Sequence, residues 1–321
     1  MIRVRRPWRY SALFLACVLA ACSSALAQTS RSHSAASVAK SVDSGNSKTT
    51  LYVGLFNGQA VNVYDAFGTG QPSAQLLDGL FNSTGGIAVG PDRKVYVSTG
   101  GGMVVVFQGG GFVPVQRYRF PDQFVPAFPT GIAVDNVGTL YAPLYFDGLV
   151  AVYPKGDTQK ASLTIPVPSG NAAFAAAVDD QNNVYVEYGL NHHLSPGYIQ
   201  KCPPNSAQCT DLGITLGAPG SNLVVDSQGN LIACDQLAAQ IDVFAPGSTQ
   251  PRVISQGLVG CGSFALNRAQ NTLFVANQAE GGGPAVISVF DYASGNLLKI
   301  ISDGIPSGDL IFGVALSPSL R

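Results

Sequence analysis

Charge is what this chain has least of. Asp, Glu, Lys and Arg make up 12% of its 321 residues, and the net charge is −1. No basic stripe is present, so the electrostatic footprint of a nucleic-acid-binding protein is missing. Glutamate occurs twice, as Glu187 and Glu280, which restricts any acid–base pair to these two and the aspartates. Histidine occurs three times, and His192 and His193 are neighbours. Adjacent histidines on one loop lack the spacing of a zinc site. The single tryptophan, Trp8, lies in the N-terminal leader, so no Trp platform for a sugar remains in a mature chain. There is no Gly-x-Ser-x-Gly elbow and no phosphate-binding loop. The apolar run from Tyr10 to Ala21 is about a dozen residues, too short to span a bilayer as a helix.

That run follows Arg3, Arg5, Arg6 and Arg9, the order of a secretory signal. Leu19-Ala20-Ala21-Cys22 resembles a bacterial lipobox. Residues 1–21 are then a lipoprotein-type signal peptide, and Cys22 carries the lipid. Cleavage after Ala25-Leu26-Ala27 is the alternative and yields a soluble secreted protein. Residues 22–48 are rich in Ser and Ala and poor in large apolar side chains. Such a stretch cannot bury enough surface to order itself and reads as a flexible tether. Several acyl chains, at about 0.8 kcal/mol per buried CH₂, hold a protein on a membrane surface. The expected location is outside the cytoplasm, lipid-anchored and facing the periplasm or the cell exterior.

Residues 49–321 are repetitive. The stretch from Gly131 to Pro154 shows one unit: Gly-Ile-Ala-Val-Asp, a turn at Asn-Val-Gly, Thr-Leu-Tyr-Ala, a polar break, and Leu-Val-Ala-Val-Tyr-Pro. An apolar run, a tight turn, a β-branched run and a third alternating run predict successive antiparallel strands. Val89, Val134, Val178, Val225, Leu266 and Leu316 close the first strand of each unit at spacings of 41 to 50 residues. Weaker fourth strands follow, for example over Lys160 to Ile165 and Leu297 to Ile301. Four short strands per unit of this length mark an all-β propeller blade. The chain finishes on a lone first strand, Phe312 to Leu316. After the tether it begins on a second strand, Leu51 to Val53. The two ends together complete a sixth blade and close the ring. The units resemble those of NHL/YVTN-type repeat proteins, which implies a six-bladed β-propeller and leaves the activity open, since that fold hosts many functions. A monomer is expected.

Four cysteines follow Cys17 and Cys22, an even number in an exported chain, which points to disulfides. Cys202 and Cys209 flank a Pro-Pro-Asn-Ser-Ala-Gln loop and are expected to pair. Cys234 ends a second strand and Cys261 precedes the first strand of the next unit. In a propeller these points share one end of adjacent blades, so a bridge between them is expected; two buried thiols are the alternative.

A ligand site is expected where the innermost strands begin and the second strands end. This mouth collects Thr84, Thr130, Asn171, Asn222, Glu187, Tyr188, Asp235 and Asn277. Capping of strand ends is the competing role for the same residues. Asp135, Asp179 and Asp226 recur after the first strand and read as turn residues. Propeller lactonases of the gluconolactonase type suggest a second possibility: calcium held by Glu187, Asn171, Asn222 and Asp235, with Asn277 in reserve, since oxygen ligands suit calcium. Propeller lyases of this repeat style draw histidines from several blades, which this chain lacks. No catalytic residue is assigned. The expected function is a non-catalytic, tethered module binding a protein or small-molecule ligand without a cofactor; the rival is a calcium-dependent hydrolase or lactonase.

Overall fold

The computed structural model describes residues 49–78, 83–120, 128–190, 196–279 and 283–320. The signal, the tether, Cys22, Trp8, His33, His192, His193 and Glu280 lie outside the described residues. Among the described residues there are 24 strands in six four-stranded antiparallel sheets, and no helix. Blade 1 contains β1 (Thr50–Leu55), β2 (Ala60–Asp65) and β3 (Pro72–Leu76). Blade 2 is β4 (Thr84–Val89), β5 (Val95–Thr99), β6 (Met103–Phe107) and β7 (Pro114–Arg119). Blade 3 is β8 (Ala133–Val134), β9 (Leu140–Leu144), β10 (Leu149–Tyr153) and β11 (Leu163–Pro166). Blade 4 is β12 (Asn171–Val178), β13 (Val184–Leu190), β14 (Gly197–Cys202) and β15 (Thr210–Leu216). Blade 5 is β16 (Leu223–Val225), β17 (Leu231–Asp235), β18 (Gln240–Phe244) and β19 (Pro251–Ile254). Blade 6 is β20 (Phe264–Leu266), β21 (Thr272–Asn277), β22 (Val286–Asp291) and β23 (Leu297–Ile301).

The final strand, β24 (Ile311–Ser317), returns to blade 1 and pairs antiparallel with β1, placing Leu316 opposite Leu51 and Val314 opposite Val53. The ring is closed by the two ends of the chain, as the split repeat predicts. The molecule is a six-bladed β-propeller.

The core is six clusters, one at each junction between neighbouring blades. Strand alternation explains this. Leu51, Val53 and Leu55 pack toward blade 6 with Phe274 and Ile287, while Tyr52 packs toward blade 2 with Ile87 and Val97. Both faces of a blade are buried, so these strands read as continuous apolar runs.

The turns after the first strands follow the chemistry expected of Asp. Asp135 Oδ1 accepts from Val137 N at 3.0 Å and Thr139 N at 2.7 Å. Asp179 does the same with Gln181 and Asn183, and Asp226 with Gln228 and Asn230. The fourth turn residue is left-handed at Gly138 (φ 93°), Asn182 (φ 61°) and Gly229 (φ 79°).

Both expected disulfides are present. Cys202–Cys209 closes the β14–β15 hairpin of blade 4, and Cys234–Cys261 ties blade 5 to the loop entering blade 6. They indicate an oxidising, extracytoplasmic environment. No helix among the described residues is long and apolar enough to cross a membrane.

Blade 3 departs from expectation. Its sequence is the most regular, yet its inner strand is two residues long. Gly131 leaves its own blade: its N–H donates to Phe174 O at 2.8 Å, and its carbonyl accepts from Ala176 N at 2.9 Å. This parallel bridge joins blade 3 to β12, where Phe174 forms a bulge between Ala173 and Ala175. The fourth strand of blade 3 also begins later than expected, at Leu163.

Candidate functional site

The inner strands surround an axial channel with two unlike ends. At the entry end, where those strands begin, neighbouring backbones touch. A Cβ on Gly131 would sit 2.2 Å from Ser221 O, one on Gly86 2.3 Å from Thr130 O, and one on Gly313 2.5 Å from Gly85 O. Glycine is required there because any side chain would force the hub apart. Beyond this constriction a cavity of about 130 Å³ runs toward the exit end. Ala88, Ala133, Ala176, Val224, Ala265 and Ala315, one from each blade, line it, and Ser319 and Leu320 lie at its exit.

Of the eight residues expected at the mouth, Asn222 lines this cavity. Its Nδ2 donates to Phe264 O. Thr130 Oγ1 donates to Ala173 O at 3.1 Å, and Asn171 Nδ2 to Pro168 O at 3.0 Å. Tyr188 is buried, and its hydroxyl donates to Asp211 Oδ2 at 2.9 Å. Asn277 Oδ1 accepts from Val259 N, while its Nδ2 donates to Gly257 O and Ser288 Oγ. Asp235 accepts from Gly217 N at 2.6 Å, Ala218 N at 3.3 Å and Ala238 N at 3.0 Å. Asp235 and Asn277 therefore do one job in successive blades: each holds the loop that leads into its blade. Thr84 is fully buried, with no hydrogen-bond partner for Oγ1.

Glu187 and Asp235 grip opposite ends of one loop. Glu187 is fully buried at the junction of blades 4 and 5, and its Oε1 accepts from Gly220 N at 2.8 Å. Its Oε2 has no hydrogen-bond partner. Burial pushes its carboxyl up to about 8; the Gly220 N–H opposes that rise, and the Asp235 charge adds to it. Nearby, burial pushes Asp242 up to about 6 against the hydrogen bond from Gln240.

The four residues named for calcium, Glu187, Asn171, Asn222 and Asp235, each make hydrogen bonds within the protein. Both oxygens of Asp235 are taken by backbone N–H groups, and Asn171 is bonded within its own loop. Among the described residues no group of three or more His, Cys, Asp or Glu is placed to hold a metal.

The entry end also carries an aromatic cluster around Tyr145. The Tyr145 ring lies 5.1 Å from Phe174 and 4.9 Å from Phe146, and Phe146 lies 6.4 Å from Phe128. The bulge in β12 sets Phe174 partly exposed at the channel entrance, a common use of bulges. Phe146 is 38% exposed; Leu190 and Leu237 are exposed farther round the same end. The signal for this cluster was the alternation break around Phe174, where a large ring interrupts a run of alanines.

The basic residues of the connections divide by end. Among the described residues, the entry-end connections contain Asp78, Asp147, Asp303 and Asp309 but no Lys or Arg. Arg93, Lys94, Lys155, Lys160 and Arg268 all lie in exit-end connections.

No family model matches this sequence, and no curated protein matches it. A solved structure that matches is a protein of unknown function from Bacteroides caccae, at 12% identity and a TM-score of 0.61. The match covers 84% of this chain and 99% of that one. At that identity the likeness is one of fold.

Proposed function

We propose that this protein is an extracytoplasmic, membrane-tethered propeller of NHL/YVTN type that binds a protein or small-molecule ligand at its entry end, without catalysis. The carrying observation is a division of labour at that end. Seven of the eight polar side chains expected to form a site are engaged in hydrogen bonds within the protein, and Glu187 is sealed from solvent. Exposed side chains there include Phe146, Leu77, Leu190, Leu237 and Val259, which suit recognition through contact area. In this reading, lipid on Cys22 followed by the 22–48 segment tethers the protein to a membrane.

A photo-crosslinking side chain at position 146, in intact cells of the source organism, tests this. Capture at 146 with none at 159, on the exit-end turn of blade 3, is the expected result, on a mature chain whose first residue is acylated Cys22. Equal capture at both positions, or none at either, overturns entry-end binding. A mature chain starting at Gln28 overturns the tether.

A further inference from the structure

We propose that the exit-end rim of blades 2 and 3 is a docking surface for an anionic lipid bilayer. This rests on the tethered reading and names the face that meets the membrane. The tether joins the ring at that end. Thr50 opens β1 opposite Ser317, the last residue of β24, and Thr49 O accepts from Ala66 N at 3.0 Å. An anchor on Cys22 therefore reaches the ring from the exit side. It does so one blade away from the rim, since blades 1 and 2 share a core cluster in which Tyr52 packs with Ile87 and Val97.

The rim is built from four connections, residues 90–94 and 108–113 of blade 2 and residues 135–139 and 154–162 of blade 3. They touch one another. A Cβ on Gly109 would sit 2.4 Å from Arg93 O, one on Gly138 3.1 Å from Lys155 Cδ, and one on Gly90 3.4 Å from Val134 Cγ1 across the blade junction. Three apolar side chains project from these connections: Phe112 is 54% exposed, Val113 74% and Val137 61%. Among them stand Arg93, Lys94, Lys155 and Lys160. Lys94 pairs with Asp92 at 3.0 Å. Arg93, Lys155 and Lys160 are exposed and make no ion pair among the described residues. Of the remaining acids, Asp135 is buried and bonded into its own turn, and Asp157 accepts from the N–H groups of Gln159 and Lys160.

Cations without partners around projecting apolar side chains suit a bilayer surface. Anionic headgroups attract the cations, and the apolar tips enter the interface. The charge is local to this part of the ring: the exit-end connections of blades 4 and 5 carry Asp179, Asp180 and Asp226 and no Lys or Arg. A nucleic acid calls for a longer basic stripe and gains nothing from the apolar tips. An acidic protein would match the charge, but the anchor brings a bilayer to this end. With the rim on the membrane, the entry end faces away from it and stays open to a ligand.

The test uses the mature chain with Cys22→Ser, so that no lipid holds it, mixed with vesicles and read by flotation. Vesicles of equal parts phosphatidylglycerol and phosphatidylcholine should bind it at least tenfold more tightly than phosphatidylcholine alone, and added salt should weaken that binding. Lys155→Glu should weaken it at least fivefold, as should Phe112→Ser combined with Val137→Ser, with urea midpoints unchanged. Arg268→Glu in blade 6 and Leu237→Ser at the entry end should change it less than twofold. Absence of binding, equal binding to both kinds of vesicle, or equal losses from Lys155→Glu and Arg268→Glu overturns the proposal. Polyglutamate that displaces the vesicles, with the Phe112 and Val137 variant binding them as the parent does, overturns it in favour of an acidic protein. The mass of the exported chain's first residue reports the tether separately, so failure of the rim is distinguished from failure of the anchor.

Discussion

At the exit end, blade after blade solves the same problem in the same way. An Asp or Asn opens the turn, its carboxylate or amide oxygen caps the following N–H groups, and the fourth residue is left-handed. All the cations of the described connections stand there. At the entry end the blades diverge. Blade 3 lends Gly131 to its neighbour, blade 4 bulges at Phe174, blades 5 and 6 clamp their loops with Asp235 and Asn277, and blade 1 uses Asp309 on Asn57 and Gly58. Repetition marks what any ring of sheets needs. Departure from repetition marks where this ring has room to be particular.

The contrast breaks most visibly at glycine. Gly131→Val places a branched side chain where a Cβ already meets Ser221 O at 2.2 Å and Ala175 at 2.8 Å. Denaturant titration should show a loss of more than about 4 kcal/mol, at the upper end for single substitutions, or no folded product. At the exit end, Gly138→Ala meets the Cδ and Cγ of Lys155 at 3.1 and 3.3 Å and adds the cost of a left-handed backbone, so about 1–2 kcal/mol is expected. Equal losses would mean that the hub relaxes and that the constriction is not rigid.

The disulfides sharpen the same comparison at a smaller scale. Cys234–Cys261, at the entry end, closes 27 residues across two blades; Cys202–Cys209, at the exit end, closes 7 within one hairpin. Chain entropy predicts about 3.5 kcal/mol for the first and about 2.5 kcal/mol for the second. Double Ser variants at each pair, compared by urea midpoints, should rank in that order. The reverse order would show that the bridge between blades stores strain.

The two ends also differ in their pH response. The Glu187 carboxyl is raised, so the stability of its buried neutral form is complete below its ordinary value and is lost as pH climbs toward about 8. Glu187→Gln should flatten stability between pH 5 and 9, removing a slope of up to about 1.4 kcal/mol per pH unit. Asp179, at the exit end, goes the other way. Burial works against it, but Asn183, Lys201 and Tyr185 together hold its carboxyl below the ordinary value. Its contribution is present above that value and is lost as pH falls, so Asp179→Asn should change stability at neutral pH and lose that difference in acid. Parallel pH profiles for the two variants would contradict the assignment.

The architecture was legible because each blade repeats a local pattern. Val95-Tyr96-Val97 and Leu140-Tyr141-Ala142 announce strands, and the Asp-led turns announce their reversals. The chain ends announce closure because each is half of a blade. The cysteines were legible because a propeller fixes which strand ends are neighbours. The site was less so. Thr130, Asn171, Asp235 and Asn277 look available in the sequence, yet each is bonded to backbone in a nearby loop. Nor does the regular Gly131–Pro154 unit disclose that its glycine pairs with the next blade.

The amino-acid order alone determined the number of blades, the way the ring shuts and which cysteines meet, because these follow from periodicity and from neighbours in one sheet or adjacent sheets. Only the folded ring decided which polar groups are bound to loops, where glycine backbones close on one another at the hub, and which aromatic rings meet at the entry end. Those outcomes depend on contacts between blades dozens of residues apart, where a shift of a few ångströms turns a bonded carboxylate into an unpaired one.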